Sequence, residues 1–174
     1  WYDAYDRFLK EKGFDKAFPT VDDLTRSMGN VSFYYQGRII ENIRISNTVD
    51  AYAVNGWESM KLENHSGIVD NYRFPKGDPE VMARYNAPLY LAVKMNRKVV
   101  STGDTTLVDT YIVNEKNLKG SYILNLVAKD ESGNVVASHK ERVTVKGGND
   151  YGQCLQSGWA FIPKSKGYTR IEAS

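Results

Sequence analysis

The apolar pattern of this chain changes its period once, at Pro88, and that change limits what the chain can build. Upstream, apolar residues recur every three to four positions in several stretches; downstream they alternate. A spacing near 3.6 lines one face of a helix, and a spacing of 2 lines one face of a strand. Residues 1–87 and 88–174 are therefore expected to be two structural regions of different class.

In the first region, Trp1, Tyr5, Phe8 and Leu9 share a helical face, with Lys10, Glu11 and Lys12 turned away and Gly13 suited to end the helix. Residues 15–21 are short and partly apolar, and read as a buried strand opening into a loop at Asp22-Asp23, against which Pro19 counts. Residues 31–45 form a second helix, with Asn30 as its cap and Tyr35, Ile39, Ile40 and Ile43 as its inner stripe. Val49 to Trp57 reads as a second strand. Asp78-Pro79-Glu80 starts a helix that ends near Tyr85-Asn86, with a capping acid, a proline at the first position and an acid near the positive end of the dipole.

Helix and strand alternate in this way in parallel α/β architecture. Two parallel strands leave most of their faces without partners, so the rest of the sheet is expected upstream of Trp1. Beyond Pro88, strands are expected at 89–93, 106–113, 121–127, 135–136 and 142–145, separated by turn signals such as Thr102-Gly103-Asp104 and Asp130 to Asn134. Short strands at this spacing indicate an antiparallel sandwich. The final segment, 167–174, reads as a strand that is cut, so the chain is expected to begin and end inside a longer protein.

Charge excludes some functions. The 23 basic and 21 acidic residues are interspersed, so no basic stripe points to nucleic acid. Apolar runs fall far short of the roughly 20 residues that a membrane helix needs. The single cysteine, Cys154, cannot form an internal disulfide. No cofactor is called for: there is no phosphate-cradling glycine loop, Cys-x-x-Cys pair or nucleophile elbow. His65 and His139 stand far apart, so no metal pair is suggested. The 12 tyrosines fit half-buried strands and equally fit carbohydrate contact.

Two segments carry a resemblance. Trp57-Glu58-Ser59, followed by Ser66-Gly67-Ile68-Val69-Asp70-Asn71-Tyr72-Arg73-Phe74-Pro75-Lys76, resembles the end of the catalytic barrel in glycoside hydrolase family 2. Members of that family show a strand ending in tryptophan, a loop and a Gly-aliphatic-aliphatic-Asp-x-Tyr-Arg-x-Pro-Lys segment before the last helix, and a sandwich domain follows. Upstream, Met28-Gly29-Asn30 is similar to the close of the family's Glu-Tyr-x-His-x-Met-Gly-Asn nucleophile pattern. The resemblance covers roughly residues 20–174. It implies that residues 1–87 are the C-terminal strand–helix units of a TIM-type (β/α)8 barrel and residues 88–174 an immunoglobulin-like β-sandwich lacking its last strand.

The function so implied is that of a β-galactosidase-like hydrolase of β-linked sugars, retaining when intact. Its partners would be a carbohydrate substrate and the remainder of the same enzyme, and its location the periplasm or outside the cell. The alternative is a non-catalytic carbohydrate-binding or scaffold module. In the nucleophile pattern Asp23 takes the place of glutamate, Leu24 that of tyrosine and Arg26 that of histidine.

A retaining glycosidase needs two carboxyls about 5 Å apart. Aspartate is shorter than glutamate by a methylene, and the family's acid/base lies on an earlier strand that this chain does not contain. Asp23 is thus either the nucleophile or a loop or helix-capping acid. Trp57, at a strand's C-terminal end, either stacks on a sugar at the barrel mouth or closes the barrel core. Glu58, Glu63, Asn64 and His65 are candidates to bond sugar hydroxyls or to bind an ion, or are an ordinary polar loop.

Overall fold

The computed structural model describes residues 1–58 and 67–174. It combines helices with antiparallel sheets, and the chain divides into two compact units, residues 1–40 with 51–86 and residues 41–50 with 87–174.

The first unit opens with helix α1 (Tyr2–Lys12), which Gly13 ends in the left-handed conformation at φ 70°. Only Leu9 of its apolar face is buried. A 3-10 turn (Phe14–Lys16) follows, and α2 runs from Val21 to Ser46. The strand expected at 15–21 is therefore absent, and the second helix starts ten residues before position 31. A capping box explains the early start. Thr20 Oγ1 accepts from Asp23 N at 3.1 Å, while Asp23 Oδ2 accepts from Thr20 N at 3.1 Å and from Thr20 Oγ1 at 2.7 Å. Asp22 and Asp23 also place negative charge in the helix's first turn, where the dipole favours it.

Asn30 is consequently inside α2 and caps nothing there. Its Oδ1 accepts from Asp78 N at 2.6 Å, at the entrance to α3 (Pro79–Tyr85). The helix start at Asp78-Pro79-Glu80 is present as expected, with Glu80 N donating to Asp78 Oδ1 at 3.0 Å.

The buried residues of α2 in this unit are Val21, Gly29, Phe33, Gly37 and Ile40. Tyr35 and Ile39 are 61% and 60% exposed, against expectation. Gly37 accounts for the rotation: the ring of Tyr85 lies where a side chain at position 37 would project, so α3 packs directly on the helix backbone. Phe33, Ile40, Met82 and Tyr85 form the resulting core, with Ile68 and Val81 against it. Residues 49–57 carry no strand. A strand needs a hydrogen-bonded neighbour, and the nearest pairing among the described residues is a single parallel bridge between Glu58 and Val69.

The second unit holds β1 (Leu89–Met95), β2 (Thr106–Asn114), β3 (Gly120–Lys129), β4 (Val135–Val145), β5 (Gly152–Phe161) and β6 (Arg170–Ala173). They form two three-stranded antiparallel sheets, in the orders β1-β2-β5 and β4-β3-β6. Alternation turns Val108, Phe161, Leu124, Leu126, Ala128 and Val143 inward, and two apolar clusters drawn from both sheets make the core.

Two expected fragments, 135–136 and 142–145, are one strand, β4, whose exposed Lys140, Glu141 and Arg142 interrupt the apolar pattern. β5 has no counterpart in the sequence reading. A bulge at Ser157-Gly158 breaks its period, and both Ser157 Oγ and Gly158 N donate to Asp109 Oδ1 at 2.7 Å.

Residues 41–50 belong to this unit through specific contacts. Arg44 Nη2 donates to Glu115 Oε1 at 2.5 Å, with the guanidinium carbon 5.3 Å from the centre of the Tyr90 ring. The Asn47 amide bonds both the N–H and the carbonyl of Gly152, at 2.7 and 2.6 Å.

Candidate functional site

The residues of the two quoted motifs come together in the first unit. The chain from Gly67 to Asp78 folds into a hydrogen-bonded knot around the buried side chain of Val69. Ile68 N and Val69 N donate to the carbonyl of Trp57, at 3.0 and 3.1 Å. Val69 bridges Glu58 on one side and Pro75 on the other.

Asp70 closes the turn that follows. Its Oδ1 accepts from Tyr72 N at 2.8 Å and Phe74 N at 2.9 Å, a side-chain imitation of a backbone turn. Its own N–H donates to Phe74 O at 2.9 Å, and its carbonyl accepts from Arg73 N at 3.0 Å. Arg73 is left-handed at φ 69°, a conformation uncommon for a long side chain. From there its Nε reaches Glu58 Oε1 at 2.6 Å.

The knot is seated on α2. At Gly29 the helix backbone runs so close to the Lys76 carbonyl that a methyl group there would collide with it. Asn30 next to it holds Asp78 N. Burial pushes the Lys76 ammonium below its ordinary range, with Asp70 opposing the shift.

Outward, the knot presents aromatic surface. Trp57 is 64% exposed, and Tyr72 and Phe74 are exposed as well. The Glu58–Arg73 pair is in contact with solvent and adds little stability, but it fixes a carboxylate and a guanidinium one residue away from these rings in sequence. Flat apolar faces beside fixed donors and acceptors can stack on a sugar ring and bond its hydroxyls.

Of the residues singled out in the sequence, Trp57 and Glu58 stand in this arrangement. Asp23 stands in the first turn of α2, its carboxylate engaged by Thr20. Glu63, Asn64 and His65 lie outside the described residues. Asp70, Arg73 and Gly29 were missed as organisers of the site. For Asp70 the signal was present, since Asp followed by a short polar stretch favours such turns; the left-handed Arg73 had none. Among the described residues, no three His, Cys, Asp or Glu side chains gather as a metal site, and no helix is long and apolar enough to cross a membrane.

No model of a known protein family matches the chain, and a search of curated proteins finds no match.

Proposed function

We propose that this chain is part of a glycoside hydrolase of family 2 architecture that acts on β-linked sugars. In this reading residues 1–87 are the last strand–helix units of its barrel and residues 88–174 the immunoglobulin-like sandwich that follows. One observation carries the proposal. Met28-Gly29-Asn30 and the Gly67–Lys76 segment each resemble the family independently, and they close on one another through Gly29, Asn30, Lys76 and Asp78. A chance likeness in two separate segments gives no reason for such a meeting.

The uncovered apolar residues of the first unit support the same reading. Met28, Val31, Tyr35 and Ile39 recur at helical spacing on α2 and are exposed, as are Tyr52 and Val54 in the stretch before Trp57. A barrel sheet would cover such a helix face and pair such a stretch. Trp57 and Glu58 are the sugar contacts in this reading, together with Asn64 and His65, which lie outside the described residues.

A second reading is favoured by Asp23. Its carboxylate is bound into the helix cap, and it stands at the place where the family's pattern has its nucleophile. A protein with that substitution would hold sugars through Trp57 without cleaving them.

The whole protein, assayed on aryl β-galactosides and related aryl β-glycosides, tests both. Hydrolysis with retained anomeric configuration supports the first. Binding of the same glycosides without turnover, abolished by Trp57→Ala, supports the second. Neither hydrolysis nor binding sinks both.

A further inference from the structure

In the second unit one edge of β3 is only half used. β6 pairs with Leu126 to Lys129, and Asn125 and Ser174 exchange both backbone hydrogen bonds, at 2.8 and 3.0 Å. From Gly120 to Leu124 that edge of β3 has no paired strand among the described residues, while its other edge pairs with β4 throughout. Successive residues of an antiparallel strand turn both backbone groups to one side and then to the other. Since Asn125 faces β6, Ile123 and Ser121 present their N–H and C=O to the open edge, and Tyr122 and Leu124 turn theirs to β4.

Under the open edge, between the two sheets, lies a cavity of about 240 Å3. Leu89 and Leu91 of β1, Ile112 of β2, Tyr122 and Leu124 of β3 and Leu155 of β5 are among its walls, and no charged residue is. The inward face of β6, which carries Ile171 and Ala173, thus leads into apolar walls with no strand over them.

Edge and cavity together select the occupant. A charged ligand meets no counter-charge in the walls, and a polyhydroxylated one meets few hydrogen-bond partners. A small apolar molecule or an acyl chain would fill the cavity but leave the backbone groups of Ser121 and Ile123 unpaired. An extended peptide meets both demands, because strand addition joins main-chain hydrogen bonds to pockets for alternate side chains. The edge also lacks the charges and prolines that blunt exposed strands. Gly120-Ser121-Tyr122-Ile123-Leu124 has neither, whereas β4, at the far edge of the same sheet, carries Lys140, Glu141 and Arg142.

We propose that this edge is a strand-acceptor site for a partner peptide, which lies antiparallel to β3 in the line of β6. Directly opposed residues of antiparallel strands share a face. The partner's residues opposite Leu124 and Tyr122 therefore enter the cavity and are apolar, as Ile171 and Ala173 are opposite Ala128 and Leu126. Those opposite Ile123 and Ser121 point outward and make the hydrogen bonds. The site rests on the edge and the cavity alone and does not depend on the hydrolase reading.

The test uses the 174-residue chain, isotopically labelled and titrated with the N-acetylated peptide Leu-Thr-Val-Thr-Leu-Lys-Lys, whose two lysines serve solubility. We expect saturable binding, with amide exchange of Ser121 and Ile123 slowed at least about tenfold at saturation. Tyr122 and Leu124, already bonded to β4, should change little. The same peptide with serine at its three apolar positions should not bind. Leu89→Lys sets a charge at the partly exposed mouth of the cavity and should weaken binding at least about fivefold. The proposal is overturned if the alternating peptide gives no saturable binding or if the serine peptide binds as well. It is overturned too if binding shifts the cavity's methyl resonances without slowing Ser121 and Ile123, the behaviour of a small apolar ligand. Slow exchange at those two amides in the chain alone, deepening with protein concentration, gives the edge to a second copy and also overturns it.

Discussion

The two units use their apolar residues in opposite ways. In the two-sheet unit, alternation carries Leu124, Leu126 and Ala128 inward from β3 alone, and side chains from both sheets meet them. In the helical unit, a core of Phe33, Ile40, Met82 and Tyr85 coexists with an exposed helical row of Met28, Val31, Tyr35 and Ile39. Contiguous apolar surface of that kind marks a contact with something else. The first unit exposes more of its large apolar residues than it buries; the second buries a two-sheet core, although Leu89, Leu107, Tyr122, Ile123 and Val135 on its strands are exposed as well.

Substitutions can break or sharpen the contrast. The largest effect is expected from Leu126→Ala, which deletes a fully buried side chain and should cost about 2–5 kcal/mol. Denaturant unfolding followed at Trp159, a core neighbour in the same unit, should report it. If Trp57 in the other unit reports the same loss, the chain unfolds as one body and the contrast fails.

Gly29→Ala comes next. Alanine improves helix propensity by about 1 kcal/mol, yet its methyl group meets the Lys76 carbonyl, which is backbone and cannot swing aside. A net loss of about 1–3 kcal/mol is expected in the first unit, read by circular dichroism at 222 nm. A gain in stability would mean that the knot does not sit on α2. Asp23→Ala removes one half of the capping box and should cost about 0.5–2 kcal/mol. Thr20→Ala should cost about as much, and the double variant little more, since the two act as a unit; full additivity would show that Asp23 has another task.

The smallest effect is the most telling about α2. Ile39→Ser, at an exposed position of the sequence-expected stripe, should change stability by less than about 0.5 kcal/mol in this chain. A thermal melt showing a loss of core size would place Ile39 inside.

What the sequence revealed, and what it hid, follows from the same physics. Helix ends with a local chemical signature were readable: Gly13 after α1, and Asp78-Pro79-Glu80 before α3. The start of α2 was equally local, but its box uses aspartate at the third position and follows Pro19, and the apolar run at 15–21 outweighed it. The stripe of α2 was misread because Gly37 contributes nothing to an apolar count, while its bareness admits Tyr85.

β1 to β3 are apolar runs bounded by turn signals and were legible. β5 was not, because its buried positions shift across the Ser157-Gly158 bulge. At the candidate site, Trp57 and Glu58 were visible as residue types in a motif. Their partner Arg73 was not, since nothing in the letters signals a left-handed arginine.

Residue-level hydrogen exchange on the 174-residue chain tests the contrast most directly. Amides of β2 and β3 are expected to exchange only through the highest-energy opening in the molecule, and those of α2 before Ile40 through a markedly lower one. Equal protection of the two sets would contradict the account, because the helical unit would then be as complete as the two-sheet unit.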